Sequence, residues 1–139
     1  MSDKTVREAM TASPTVVSSD ATVVEAARAM TTENVGSLPV VDQDKLVGIV
    51  TDRDLVTNVL AKDLDPHKVP VSAVATENPE FVAPEDSLDT ALQRMAEKQV
   101  RRLPVVEDGR LVGILAQADV AQSAKAESTG RMVEEISEN

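Results

Sequence analysis

The chain has 139 residues, 42% of them apolar, enough to bury the interior of one domain or of two small units. Acids outnumber bases 24 to 14, a formal net charge of −10, which argues against a protein held on nucleic-acid phosphate by a basic face and leaves room for a local basic pocket. With no cysteine and one histidine it lacks the means for thiolate chemistry, disulfides or a multi-histidine metal centre.

In chain order, the first ten residues are polar and charged and do not read as a signal peptide. No later run approaches the roughly 20 apolar residues that span a bilayer. A cytoplasmic chain without a membrane partner is expected. Thr15-Val16-Val17 follows Pro14, which disfavours helix just before it, and reads as extended. Thr22 and Glu25 have capping-box spacing, and Val23, Ala26, Ala27 and Met30 then form one apolar stripe of a helix. Two short apolar runs, Leu38-Pro39-Val40-Val41 and 46–50, flank the polar turn Asp42-Gln43-Asp44-Lys45, a hairpin pattern. A second helix is expected near Thr51 or Asp52. Residues 63–70 form a turn-rich linker in which His67 reads as a surface residue.

From residue 71 the series starts again. At an offset of 65, sixteen of 51 ungapped pairs from Val6 to Val56 are identical, too many for unrelated segments. Leu103-Pro104-Val105-Val106, Leu111-Val112-Gly113-Ile114 and Asp119 repeat their counterparts, and Ser87 takes the cap position before Leu88, Ala91, Leu92 and Met95. Each copy therefore reads strand–helix–strand–strand–helix, an α/β unit of about fifty residues, too small to stand alone. The expected division is 4–62, a linker at 63–70, 71–123, and an acidic tail at 124–139. In that tail Met132, Val133 and Ile136 fit a short helix or a solvated end.

Leu-Pro-Val-Val, an acidic turn and Leu-Val-Gly-Ile, each present twice, with a following Thr-x-x-Asp in the first copy, resemble a pair of CBS (cystathionine-β-synthase-type) domains over about residues 4–122. The resemblance implies two β-α-β-β-α repeats packed pseudo-symmetrically through their sheets as a stand-alone Bateman module. Small bacterial and archaeal two-repeat proteins, such as the hypoxic response proteins of actinobacteria, are of this kind. It also implies a homodimer and a non-catalytic regulatory role: sensing AMP, ADP, ATP or S-adenosylmethionine and signalling to a partner protein. The alternative is a ligand-free module for homodimerisation or protein interaction, with vestigial clefts. No cofactor and no metal is required in either. Composition offers no nucleophile–base pair, so an enzyme is not expected.

The stretch around Ile49, Thr51, Arg53 and Asp54 joins an apolar strand to a helix start. There backbone N–H groups favour anions, a hydroxyl meets phosphate or ribose, and a carboxylate accepts from a ribose diol. Thr51 and Asp54 also read as a plain helix cap, and the two roles coexist. The resemblance completes this cleft from the other copy with Phe81, Val82, Arg101, Arg102 and Pro104. It forms a weaker second cleft from Val16, Val17, Gly36, Ser37, Pro39 and Asp119, where Ala116 and Ala118 replace the polar Thr51 and Arg53. One adenine nucleotide per chain, on the Asp54 side, is the resulting expectation. Phe81, the single aromatic, reads as core packing more readily than as a base-stacking surface.

Overall fold

A computed structural model describes residues 4–123, so the acidic tail lies outside the described residues. In chain order the elements are α1 (Val6–Ala9), β1 (Thr11–Ala12), β2 (Val17–Ser18), α2 (Val23–Glu33), β3 (Ser37–Asp42), β4 (Lys45–Thr51) and α3 (Asp52–Leu55). A π-helical stretch, Val56–Leu60, continues α3. After a 3-10 turn at Val71–Ala73 come β5 (Thr76–Glu77), α4 (Leu88–Lys98), β6 (Arg102–Glu107) and β7 (Arg110–Ala116), and residues 117–123 are helical.

The duplication is plain in these elements, yet the compact units do not follow its boundaries. One unit, here the N-repeat unit, comprises Ser13–Glu80 with Asp108–Leu111. The other, the C-repeat unit, takes residues 4–12, Phe81–Glu107 and residues 112–123. The short lead-in before each repeat has therefore been exchanged. Residues 4–12 belong with the second repeat, and residues 71–77 with the first.

Within the N-repeat unit, β3 and β4 form the expected hairpin, with Ser37 opposite Thr51 and Pro39 opposite Ile49. β2 pairs parallel to β3 through Val17 and Val40, and the lead-in strand β5 pairs antiparallel to β4, with Thr76 opposite Ile49. Gly48 permits that last contact, because a Cβ there would stand 2.8 Å from the Thr76 carbonyl oxygen. Helix α2 begins in a complete capping box: Thr22 accepts from the Glu25 N–H at 3.2 Å and the Thr22 N–H donates to Glu25 at 3.1 Å. Its stripe buries Val23, Ala26 and Met30 with Leu38, Val40, Val50 and, from the lead-in, Val71. The 63–70 linker is tied to the helix start: the Val23 N–H donates to the Val69 carbonyl, and Pro70 bridges Thr22. His67 is exposed in this turn, as expected.

The C-repeat unit repeats the plan. Ser87 caps α4 by accepting from the Thr90 N–H at 3.1 Å. Leu88, Ala91 and Met95 are buried, with Val82, Leu103, Val105 and Leu115, around a fully enclosed Val6 from the exchanged lead-in. Leu92, placed on the apolar stripe by its spacing, is 39% exposed instead. The lead-in is fastened by backbone bonds from the Val6 N–H to Asp86 and from the Arg7 N–H to Pro84, and β1 pairs with β7 through Thr11 and Ile114. Arg7 also holds Glu85 at 2.9 Å and Glu107 at 2.8 Å. The Glu85 hydrogen bond is the main cause of a guanidinium pKa raised above its ordinary value.

Candidate functional site

The Thr-x-x-Asp sequence sits where β4 runs directly into α3, so the strand end and the helix start share one residue, Thr51. Thr51 has extended backbone and Asp54 stands at the third helical position, which fixes a second capping box. The Thr51 N–H donates to Asp54 Oδ2 at 2.9 Å, and the Asp54 N–H donates to Thr51 Oγ1 at 3.1 Å. The two intervening amides are satisfied as well. The Asp52 N–H donates to the Gly36 carbonyl at 2.9 Å, and the Arg53 N–H to Asp52 Oδ1 at 2.8 Å.

This overturns one expectation. A helix start seats an anion because its first N–H groups lack partners in an isolated helix. Here all four, from Thr51 to Asp54, are already taken by the chain's own oxygens. What stays open is different: among the described residues Asp54 Oδ1 accepts nothing, and the Thr51 hydroxyl still has its proton to donate. Both side chains are half-buried, so they can meet a ligand without being dissolved in solvent. A carboxylate oxygen beside a hydroxyl suits a diol.

The neighbours on this sheet end include residues assigned in sequence to the weaker cleft. Ser37 lies opposite Thr51, Gly36 accepts the Asp52 N–H, and buried Pro39 pairs with half-buried Ile49. Arg53 is exposed, and its guanidinium enters no ion pair among the described residues. Val17 is core, 7% exposed, whereas Val16 before it is exposed.

The C-repeat unit carries the remaining candidates. Arg101 and Arg102 are exposed, and the Arg101 carbonyl accepts the Gln117 N–H at 2.8 Å, the counterpart of the Gly36–Asp52 bond. Half the cap survives: the Ala116 N–H donates to Asp119 at 3.3 Å, but Ala116 has no hydroxyl to return the bond. Val82, expected as an aliphatic wall for adenine, is fully enclosed. Its N–H donates to Pro104 and its carbonyl accepts from Val106, so it is a core strand residue with nothing left to offer. Pro104 is buried too. Phe81 departs the other way: read as core, it is 48% exposed, with Arg94 donating to its carbonyl at 2.7 Å. Asp52 was not singled out in the sequence. The signal was there in the repeat, since Gly36 and Asp52 align with Arg101 and Gln117 and so change together.

Elsewhere in the N-repeat unit an apolar groove of about 570 Å³ runs between α2 and the α3–π helix, walled by Val23, Ala27, Leu55, Val59 and Leu60 with Arg28 at its side. None of the expected ligand residues lines it. No cluster of three acidic, histidine or cysteine side chains among the described residues is disposed to hold a metal ion. No helix among them is long and apolar enough to cross a membrane.

Two exchanged lead-ins and a duplicated helix–hairpin plan define a tandem α/β repeat. A family model for the CBS domain matches residues 6–61 and 71–125, and the chain belongs to the CBS domain family. Hypoxic response protein 1 of Mycobacterium tuberculosis is 40% identical over 119 residues, covering 85% of this chain and 83% of that protein. The crystal structure of CBSX2 in complex with AMP superposes with a TM-score of 0.79 at 32% identity, over 89% of this chain and 98% of that one. The CBS domain pair of MJ0100, in complex with 5′-methylthioadenosine and S-adenosyl-L-methionine, gives 0.75 at 26%, over 91% and 99%.

Proposed function

We propose that this chain is a non-catalytic regulatory module that binds an adenosyl ligand at Thr51 and Asp54 and passes its occupancy to a partner protein. The observation that carries the reading is Asp54: one carboxylate oxygen fastens the helix cap while the other, half-buried, stands open beside a donor hydroxyl. That pair fits the vicinal hydroxyls of a ribose. Similarity to CBS pairs solved with AMP, or with 5′-methylthioadenosine and S-adenosylmethionine, supports the class of ligand. Ile49 supplies an apolar wall on the same strand. Binding shifts the module only as far as the ligand prefers one of its states over another.

Calorimetric titration and thermal denaturation with AMP, adenosine and S-adenosylmethionine test the reading. A ligand held at 100 times its Kd should stabilise the fold by about 2.7 kcal/mol. Asp54→Asn keeps an acceptor for the Thr51 N–H but removes the anionic oxygen, so it should weaken binding about tenfold with the fold intact. Unchanged affinity in that variant would remove Asp54 from the site.

A second reading, ligand-free self-association, is favoured by one observation. Leu60, in the wall of the apolar groove, and Val56, four residues before it on the same helix, are 62% and 54% exposed. A concentration-dependent dimer that no adenosyl compound stabilises at millimolar level would establish it over the first.

A further inference from the structure

The two repeats differ in charge at one point that the cap geometry fixes in place. In the N-repeat unit Asp52 follows Thr51, and its carboxylate is pinned: Oδ1 accepts the Arg53 N–H at 2.8 Å, while Oδ2 stands 3.0 Å from where a Cβ on Gly36 would lie. Any side chain at position 36 would crowd it. The C-repeat unit has the neutral Gln117 in its place and Arg101 in place of Gly36.

Asp52 is exposed and enters no ion pair among the described residues, and neither does Arg53, whose guanidinium has no hydrogen bond holding it toward the site. The charged side chains held by the chain's own hydrogen bonds at this strand end are therefore two carboxylates, Asp52 and Asp54, with the Arg53 guanidinium exposed beside them and every amide from Thr51 to Asp54 already spent. A phosphate brought here would find no vacant N–H donor and two anions at short range. A neutral or cationic group would find the open Asp54 oxygen and the Thr51 hydroxyl.

We propose that Asp52 is a specificity-determining residue of this site: its carboxylate, lodged against Gly36, selects adenosyl ligands that are neutral or cationic at this end over those that carry phosphate there. The assignment rests on the adenosyl reading above and narrows it. Asp52 acts by charge on the ligand and takes no part in holding the ribose. Its removal should therefore change the ranking of ligands and leave the affinity for an uncharged one alone.

The test titrates the full chain and its Asp52→Asn and Asp52→Gln variants with adenosine, AMP and ATP at low and at high salt. Asparagine keeps an oxygen for the Arg53 N–H, and glutamine is the residue the other repeat uses at this position. At low salt both variants should bind adenosine within about twofold of the parent, and AMP and ATP about threefold to tenfold more tightly. The gain should shrink as salt screens the charge. If the variants bind adenosine and AMP in the parent's ratio, Asp52 sets no preference and the inference fails while the adenosyl site stands. If parent and variants bind none of the three probes, and no S-adenosylmethionine either, the adenosyl reading fails and takes the inference with it.

Discussion

Capping a helix occupies one oxygen of a carboxylate and leaves the other for different work. At Asp54 one oxygen fastens the cap and the other accepts nothing among the described residues, so a cap and a ligand site are both legible in Thr51-Asp52-Arg53-Asp54 and neither excludes the other. The cap itself is measurable. Thr51→Ala removes the acceptor for the Asp54 N–H and recreates the state of Ala116, where only the return bond remains. It should cost about 1 kcal/mol in urea denaturation, with no change in slope. A cost near zero would mean that solvent replaces the hydroxyl. Individual side chains elsewhere were harder to read. Val82 and Phe81 are adjacent, both apolar, and on an extended segment where alternation decides which is enclosed. Composition alone assigns them no face. Val82 went into the core and Phe81 toward solvent because Val82 bridges Val105 in parallel register.

Elements that rest on local signals emerged as the sequence implied. The stripes of α2 and α4, their Thr22 and Ser87 caps and both hairpins depend on residues a few positions apart. Their ends share a feature that sequence pattern left unstated. Asn34 and Gln99 stop the two helices in the left-handed region, at φ 55° in each, and the Val35 and Val100 N–H groups reach back to the Met30 and Met95 carbonyls. Asparagine tolerates that conformation better than glutamine does. Gln99→Gly should therefore raise stability by about 0.5–1 kcal/mol, read as a higher urea midpoint. The same change at Asn34 should give less. The two-residue strands β1 and β5 went unread for the opposite reason: their partners, Ile114 and Ile49, are far away in sequence, and nothing in Thr11-Ala12 or Thr76-Glu77 marks them as paired.

At the scale of the molecule, the duplication as written and the duplication as folded are out of step by one lead-in. Val6 has 0% of its surface exposed, yet every buried residue around it comes from the second repeat; Val71, equally enclosed, lies among residues of the first. Two identical residues at equivalent positions thus brace opposite halves of the sequence. Val6→Ala removes buried methyl groups from the C-repeat core and should cost about 2 kcal/mol, a loss felt where the cavity forms. Amide hydrogen exchange should then accelerate in α4, β6 and residues 112–116 while α2 and β3 keep their protection. Val71→Ala should do the reverse. Had each lead-in folded back on its own repeat, the two patterns would be interchanged, so one pair of exchange maps decides between the exchanged arrangement and the simple tandem one.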